Sequence, residues 1–329
     1  RNSIDAEKYL LKALNLDPSS YQILNNIAGF YREEGKYTKG IKYYLKALKL
    51  NPNNSYILNN LAKSYFDIND LNLAENYALK ALKLNQNDGG IQKILSFIYL
   101  KNQDYHKAWS YFDGRLKNSE FVERNESIVK LQSKLFTKKH IKKNKKILIL
   151  REQGVGDEIL YGTMYNDILQ DLPNIKIECD KRLLRLFKNS FKSHENKFVE
   201  LGTISNNERK LKEFEYILYA GSLGRFYRNN INDFPADPYL KVEKDKMEKI
   251  RFFLNNFDKK INIGFSWKSF KNRYSNEKSL ALEDLINVFS IKNCNFFNLQ
   301  YGDVSKEILN FRSETNIDII THKDIDIFN

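Results

Sequence analysis

The chain has 329 residues, of which 42% are hydrophobic and 29% are charged, and its formal net charge is +13. This composition is typical of a globular protein with two or three domains, and no apolar run reaches the roughly 18 residues of a membrane-spanning helix. The two cysteines and four histidines lack metal-ligand spacing, so we expect neither a metal nor another cofactor. The positive charge favours anionic partners, although codon bias toward lysine and asparagine also explains it.

An Ala-Leu-x-Leu motif recurs at a constant interval of 34 residues, starting at Ala13, Ala47 and Ala81. This interval is the period of the tetratricopeptide repeat, a pair of antiparallel helices. Tyrosines and helix-ending prolines keep the same phase, and small residues stand where paired helices cross. These residues are Tyr9, Tyr43, Tyr77, Tyr31, Tyr65, Tyr99, Pro18, Pro52, Ala28, Ala62, Ser96, Ala74 and Ala108. The first third of the chain is therefore predicted to be an all-α solenoid.

The predicted solenoid covers residues 1–122. It comprises a half repeat at 3–16 and full repeats at 21–54, 55–88 and 89–122. The third repeat carries Arg115 and Glu120 where Ala and Pro are expected, which is typical of the more polar repeat that ends a solenoid. The chain starts at Arg1 inside a repeat, so we expect it to be a fragment that lacks upstream repeats.

The concave face of the repeats is the predicted binding surface for a protein or an extended peptide. A role as a spacer that positions the following domain is the alternative. A basic linker follows at residues 123–145, with lysine clusters at 138–139 and 142–146. Because only Phe136 lies near these lysines, nucleic acid is not the expected partner. Contact with an anionic membrane or a lipid-linked acceptor is the preferred alternative for this basic segment.

A buried strand and a glycine loop follow the linker. The apolar run Ile147 to Leu150 is typical of a parallel strand that is covered on both faces, and Gly154 and Gly156 let the backbone approach a ligand closely. Asp157 then falls near the first residues of a helix, where a carboxylate is favoured. It is interpreted either as a helix cap or as a functional acid. The loop lacks the third glycine of a dinucleotide fingerprint and the Gly-Lys-Ser/Thr of a P-loop.

Strand and helix patterns alternate through the rest of the chain, which predicts parallel sheets. The first α/β domain spans 146–258, and a second, incomplete one spans 259–329. Predicted strands lie at 147–150, 175–179, 198–201, 216–219, 261–267, 295–299 and 318–321, and predicted helices lie at 157–172, 182–191, 244–257 and 282–289. Candidates for substrate contact are the residues predicted to lie beyond the carboxyl ends of strands, namely Gln153, Gly154, Gly156 and Ser222. The glycines near Ser222 also suit a simple turn.

Five motifs in this order resemble the heptosyltransferase family of two-domain GT-B glycosyltransferases, here joined to tetratricopeptide repeats. The motifs are Glu152-Gln-Gly-Val-Gly-Asp157, Phe234-Pro-x-x-Pro-Tyr-Leu240, Ile263-Gly-Phe-Ser-Trp267, Lys278-Ser-Leu280 and Phe297-x-Leu-Gln-x-Gly302. They cover about residues 146–302. The resemblance implies two Rossmann-like domains, an acceptor-side domain followed by a nucleotide-sugar-binding domain.

The resemblance further implies transfer of a sugar from a nucleotide-sugar donor to an acceptor without a required metal. Asp157 matches the general base that acts on the acceptor hydroxyl. Trp267, Lys268 and Arg273 match the place where the donor diphosphate is held. The family's later donor loop lies beyond this sequence, so we expect the fragment to be inactive.

Two functions from different classes are therefore predicted. The first is a glycosyltransferase whose repeats dock a protein partner or the acceptor. The alternative is a non-catalytic tetratricopeptide scaffold with a degenerate glycosyltransferase fold, and an RNA-associated repeat protein is a third hypothesis. The expected location is the cytoplasm, with peripheral contact to the inner face of the membrane as a variant. The sequence does not identify the donor sugar, the acceptor or the oligomeric state.

Overall fold

The structure, a computed structural model, describes residues 3–117, 145–257, 261–269 and 279–322. The chain divides into two compact units, Arg1–Tyr239 and Leu240–Asn329. The first unit contains the helical repeats and a four-stranded sheet, and the second contains a two-stranded sheet.

Seven helices form the repeat array. They are α1 (Ser3–Leu16), α2 (Tyr21–Glu33), α3 (Tyr37–Leu50), α4 (Ser55–Asp67), α5 (Leu71–Leu84), α6 (Gly89–Lys101) and α7 (Tyr105–Phe112). Side chains of Ser20, Asn54, Asp70, Asp88 and Asp104 accept hydrogen bonds from the backbone at the starts of α2 and α4–α7, as helix caps do. Each helix therefore begins where the 34-residue period places it.

Small buried residues let the paired helices pack closely. Ala28, Ala62, Ser96, Ala74 and Ala108 have no exposed surface, which confirms the predicted crossing positions. The phased tyrosines stack in pairs between the two helices of each repeat, with ring centroids 5.4 to 5.9 Å apart. The third repeat differs, because α7 ends at Phe112 and a 3-10 turn follows at Asp113–Lys117. Residues 118–122 of the predicted repeat lie outside the described ranges.

A parallel sheet of four strands follows in the same unit. The strands are β1 (Ile147–Leu150), β2 (Ile175–Cys179), β3 (Phe198–Glu200) and β4 (Tyr216–Tyr219), in the order β3-β2-β1-β4. Ile147 lies opposite both Ile175 and Tyr216, and β1 is buried along its whole length. Because β2 and β4 flank β1 on opposite sides, the loops after β1 and β4 are neighbours at the carboxyl edge of the sheet.

Five helices connect and follow these strands: α8 (Val155–Gly162), α9 (Tyr165–Asp171), α10 (Lys181–Ser190), α11 (Glu208–Leu211) and α12 (Gly224–Tyr227). The single helix predicted at 157–172 is in fact two helices, α8 and α9. The break follows Gly162, a poor helix former that leaves room for the Tyr239 ring, since a Cβ there would lie 2.4 Å from the tyrosine hydroxyl.

The second unit contains α13 (Lys244–Leu254), β5 (Ile261–Phe265), α14 (Ile286–Phe289), β6 (Cys294–Asn298) and α15 (Ser305–Thr315). Strands β5 and β6 pair in parallel, and Trp267, Phe289, Phe296 and Phe311 contribute to the core beside them. The strand predicted at 318–321 is only a single bridge between Ile320 and Phe297. The described residues thus form two small parallel sheets, and they do not establish the predicted pair of Rossmann-like GT-B domains.

Candidate functional site

The inner row of repeat helices offers the first candidate surface. Helix α2 contacts α4, and α4 contacts α6, more extensively than α3 contacts α5. The side on which successive helices lie closer is the concave side of a curved array. Helices α2, α4 and α6 therefore line the concave face, where the sequence predicts a bound protein or peptide.

Three asparagines lie together on this inner row. The side-chain amide of Asn60 on α4 donates to the Asn25 side-chain oxygen on α2 at 3.2 Å. Asn59 and Asn60 are only 5% and 8% exposed, and within the described ranges the Asn59 Oδ1 atom has no hydrogen-bond partner. Buried amides normally use their donors and acceptors. The array thus holds a buried acceptor that no described group satisfies.

Cations lie beside these amides. Lys63 follows Asn59 by one helical turn, and burial followed by the charge of Arg32 lowers the pKa of its ammonium. Arg32 itself is paired with Asp67, with Nε and Oδ2 2.6 Å apart. Lys93 on α6 lies 5.6 Å from the centre of the Phe97 ring. The asparagines are therefore bordered by a surface that favours negative charge.

The end of the array meets the carboxyl edge of the four-stranded sheet through a buried ion pair. Arg115, in the turn after α7, donates from Nε and Nη2 to both carboxylate oxygens of Glu152 at 2.7 Å. The two side chains are 5% and 1% exposed. Glu152 also accepts from the Gly221 amide at 2.7 Å, and Arg115 donates to the Ser222 hydroxyl at 2.9 Å. One guanidinium therefore joins the array to the loops after β1 and β4.

Further contacts surround this pair. Asp113 accepts from the Ser222 hydroxyl at 2.8 Å and forms a close ion pair with Arg225. Burial opposes ionisation of Asp113, but Arg225 and Arg115 outweigh it, so its pKa lies below the usual range. The Trp109 indole donates to the carbonyl of Arg228 at 2.6 Å. The array and the sheet are therefore packed as parts of one unit.

The glycine loop between β1 and α8 places its predicted residues as follows. Gln153 is exposed and has a φ of 62°, a left-handed conformation that is uncommon outside glycine. Asp157 is half-buried in the first turn of α8 and accepts from the Gly154 amide at 3.0 Å. Gly156 is exposed and has open space beside its Cα. The helix-cap interpretation of Asp157 fits this contact, and its role as a base stays a prediction.

Ser222 is buried, unlike the exposed loop residues Gln153 and Gly156. It is 4% exposed, and its hydroxyl is engaged by Arg115 and Asp113. The structure therefore gives Ser222 a place in the junction, while the predicted substrate contact stays a prediction. This role of Ser222 was not predicted from the sequence, because Arg115 was interpreted as part of the more polar repeat that ends a solenoid.

A second ionic cluster at the sheet edge was not predicted. Arg151 follows β1 and Asp180 follows β2, and Arg151 pairs with fully buried Glu158 at 2.7 Å and with Asp180 at 3.3 Å. Burial raises the pKa of Glu158. The Arg182 side chain lowers the pKa of Asp180 to about 2. The signal for this cluster was available, because charged residues directly follow two adjacent parallel strands.

The predicted donor residues belong to the second unit. Trp267 is 4% exposed, and its indole donates to Glu307 at 2.7 Å. Lys268 forms a close ion pair with the same carboxylate, and the Gln300 side-chain oxygen accepts from both backbone amides at 2.9 Å. Arg273 lies outside the described residues. In this arrangement Glu307 neutralises Lys268, so phosphate binding by Lys268 requires that pair to open.

Among the residues with described positions, no group of three or more His, Cys, Asp or Glu side chains is arranged to hold a metal ion. In those same ranges every helix is too short or too polar to cross a bilayer. Cys179 and Cys294 are both buried free thiols.

Comparison with known proteins supports the helical part of the sequence interpretation. Residues 19–87 match the tetratricopeptide repeat family. Protein FlbA of Caulobacter vibrioides is 26% identical over 199 residues, which cover 56% of this chain and 33% of FlbA. The chain thus spans about a third of the length of this curated relative.

Solved structures of repeat proteins are also similar. A tetratricopeptide repeat protein from Parabacteroides merdae is 25% identical, covers 39% of this chain and 52% of its own, and gives a TM-score of 0.33. MamA is 20% identical with coverages of 37% and 72% and a TM-score of 0.33. The first repeat domain of Spaghetti (RPAP3), bound to the HSP90 peptide SRMEEVD, is 21% identical with coverages of 34% and 93% and a TM-score of 0.29.

The family match over residues 19–87 confirms the predicted tetratricopeptide repeats in the N-terminal part of the chain. The comparisons do not support the glycosyltransferase resemblance of the C-terminal part, whose site residues stay predictions. The N-terminal part of the chain is a tetratricopeptide array.

Proposed function

We propose that this protein is a scaffold whose tetratricopeptide array binds an extended segment of a partner protein along α2, α4 and α6. The observation that carries the proposal is the asparagine pair on this face, in which Asn60 bridges to Asn25 beside the cations Lys63 and Lys93. An extended peptide exposes backbone N–H and C=O groups, and asparagine amides can hydrogen-bond to both.

The charges beside the amides define the kind of segment. Lys63 and Lys93 lie along the same row, while Asp67 is already neutralised by Arg32. A bound segment with Asp or Glu side chains, or with a terminal carboxylate, would gain from these cations. The proposed partner is therefore an extended acidic segment, and its affinity is expected to fall as salt is raised.

Selection of peptides from a random display library against the purified chain tests the proposal. Selected peptides are then titrated by fluorescence anisotropy into the wild type and into Asn60→Ala. We expect a loss of affinity of about tenfold, since a lost hydrogen bond with an unpaired partner costs roughly 1–3 kcal/mol. The matched control is Asn72→Ala, because Asn72 is exposed on α5. Equal losses of affinity in both variants, or an affinity that is unchanged in Asn60→Ala, would contradict the proposal.

A second candidate function is transfer of a sugar from a nucleotide-sugar donor. It is supported by the position of Asp157, which is half-buried at the carboxyl edge of a parallel sheet, the usual ligand side of such sheets. In this proposal Asp157 takes the proton of an acceptor hydroxyl, and Trp267, Lys268 and Arg273 contribute to holding the donor diphosphate. A lipid-linked acceptor at an anionic membrane belongs to this proposal as well.

Calorimetric titration of UDP, GDP and ADP into the full-length protein separates the two candidates. The transferase proposal expects saturable binding of one nucleotide that persists in Asp157→Asn, together with loss of transfer in that variant. Glu200→Gln provides the control, because Glu200 is an exposed carboxylate at the end of β3. Absence of saturable binding by all three nucleotides would contradict the transferase proposal.

A further inference from the structure

The loop Glu152–Asp157 is held in an uncommon conformation by contacts from several sides. Gln153 has a φ of 62°, and a non-glycine residue in this region costs on the order of 1 kcal/mol unless its surroundings impose it. The Arg151 guanidinium donates to the Gln153 carbonyl at 2.8 Å, and Asp157 accepts from the Gly154 amide. These contacts come from the loop and its flanks.

The remaining contact comes from the repeat array. Glu152 begins the loop, and both of its carboxylate oxygens are taken by Arg115. Arg115 in turn is fixed at its other nitrogen, since Nη1 donates to the Phe112 carbonyl at 2.9 Å and to Asp113 at 3.0 Å. The start of the loop is therefore attached to a guanidinium whose own position is set by the end of α7.

Two glycines allow the turn that carries Arg115 to pack closely against the array. A Cβ at Gly114 would lie 2.4 Å from the Gln92 side chain, and a Cβ at Gly89 would lie 2.4 Å from the Gly114 carbonyl. The turn after α7 can thus fold back against the start of α6 only because both positions lack a side chain. This packing directs Arg115 away from the array and toward the sheet.

We propose that Arg115 is a positioning residue through which the tetratricopeptide array sets the conformation of the loop Glu152–Asp157. The loop then adopts its observed conformation only when the array is docked on the sheet. The array is accordingly a structural part of the sheet-edge site as well as a binding module. Arg115 would position the loop in this way for any ligand, whichever of the two proposed functions the protein has.

Hydrogen exchange of the full chain, read by mass spectrometry, tests the proposal. The variant is Arg115→Met with Glu152→Gln, which removes the ion pair, avoids a lone buried charge, and keeps an acceptor for the Gly221 amide. We expect the amides of Gly154 and Glu158, which donate to the Asp157 carboxylate and the Gly154 carbonyl, to exchange at least tenfold faster, while amides of β2 are unchanged. Arg209→Met, at an exposed position on α11, is the control.

Two other outcomes would overturn the proposal. Unchanged exchange of the Gly154 and Glu158 amides would show that the loop holds its conformation without the array, and would overturn the proposal. Equal acceleration of the loop and of β2 would also overturn it, since it would reveal general loss of stability in place of local positioning. This variant is expected to bind the selected peptides with the same affinity as the wild type. Peptide binding therefore tests the scaffold proposal independently of hydrogen exchange in the loop.

Discussion

Replacement of Glu178 by alanine is expected to be among the most destabilising single changes in the sheet. Glu178 lies in β2 with no exposed surface. Its carboxylate accepts from the amides of Gly202, Ile204 and Ser205 at 3.2, 2.6 and 2.9 Å and from the Ser205 hydroxyl at 2.6 Å. The turn after β3 is therefore attached to β2 through one side chain.

The magnitude follows from these contacts. Glu178→Ala leaves three amides and a hydroxyl without their acceptor and adds a cavity, and each unsatisfied buried group costs about 1–3 kcal/mol when water cannot reach it. Partial relaxation of the turn reduces this sum, so we expect a loss of about 3–5 kcal/mol. At a urea slope of about 2 kcal/mol per M, the unfolding midpoint falls by about 2 M.

Urea unfolding followed by far-UV circular dichroism measures this change. Glu178→Gln keeps one carbonyl oxygen for the amides of Ile204 and Ser205 and is expected to lose about half as much. The control is Glu200→Ala, which removes an exposed carboxylate from the neighbouring strand. A midpoint shift in Glu178→Ala no larger than that of the control would refute the assignment of Glu178 as the anchor of this turn.

Three further outcomes are expected. Arg115→Ala leaves the Glu152 carboxylate buried without its cation and should cost about 3–5 kcal/mol in urea unfolding, most of it recovered when Glu152 is changed to glutamine. Gly224→Ala places a Cβ 2.4 Å from the Trp109 ring and should lower stability by about 1–3 kcal/mol and shift tryptophan emission. The pKa of Asp180 is lowered to about 2, from about 4 in the unfolded chain. Ionised Asp180 therefore stabilises the fold by up to about 2 kcal/mol, and this contribution is lost as the pH falls from 4 to 2. In Asp180→Asn the free energy of unfolding should depend less on pH over this range.

Elements with strong periodicity were predictable from the sequence. The 34-residue period located α2–α6, and apolar runs located β2 and β4 at their observed bounds. Helix α15 was missed because only Phe311 is buried in it and its serine, asparagine and threonine content gives a weak helical signal. The break between α8 and α9 was missed because it depends on Tyr239, a residue 77 positions beyond Gly162.

Local patterns predict which residues are exposed at a sheet edge, but they do not predict which residue from elsewhere reaches that edge. Asp157, Gln153 and Gly156 were located at the carboxyl edge because strand and loop patterns are local. Arg115 was interpreted as a sign that the repeat pattern decays.

The place of Arg115 in its repeat contained more information than that interpretation used. A repeat reserves that position for a small buried residue, as at Ala47 and Ala81. A large cation there can be buried only if it finds a carboxylate, and among the described residues Arg115 finds Glu152 and Asp113. A charged residue at a buried repeat position therefore indicates contact with a domain outside the repeats. Arg115 occupies this position because the end of the array docks on the sheet and not because it faces solvent, since Arg115 is 6% exposed.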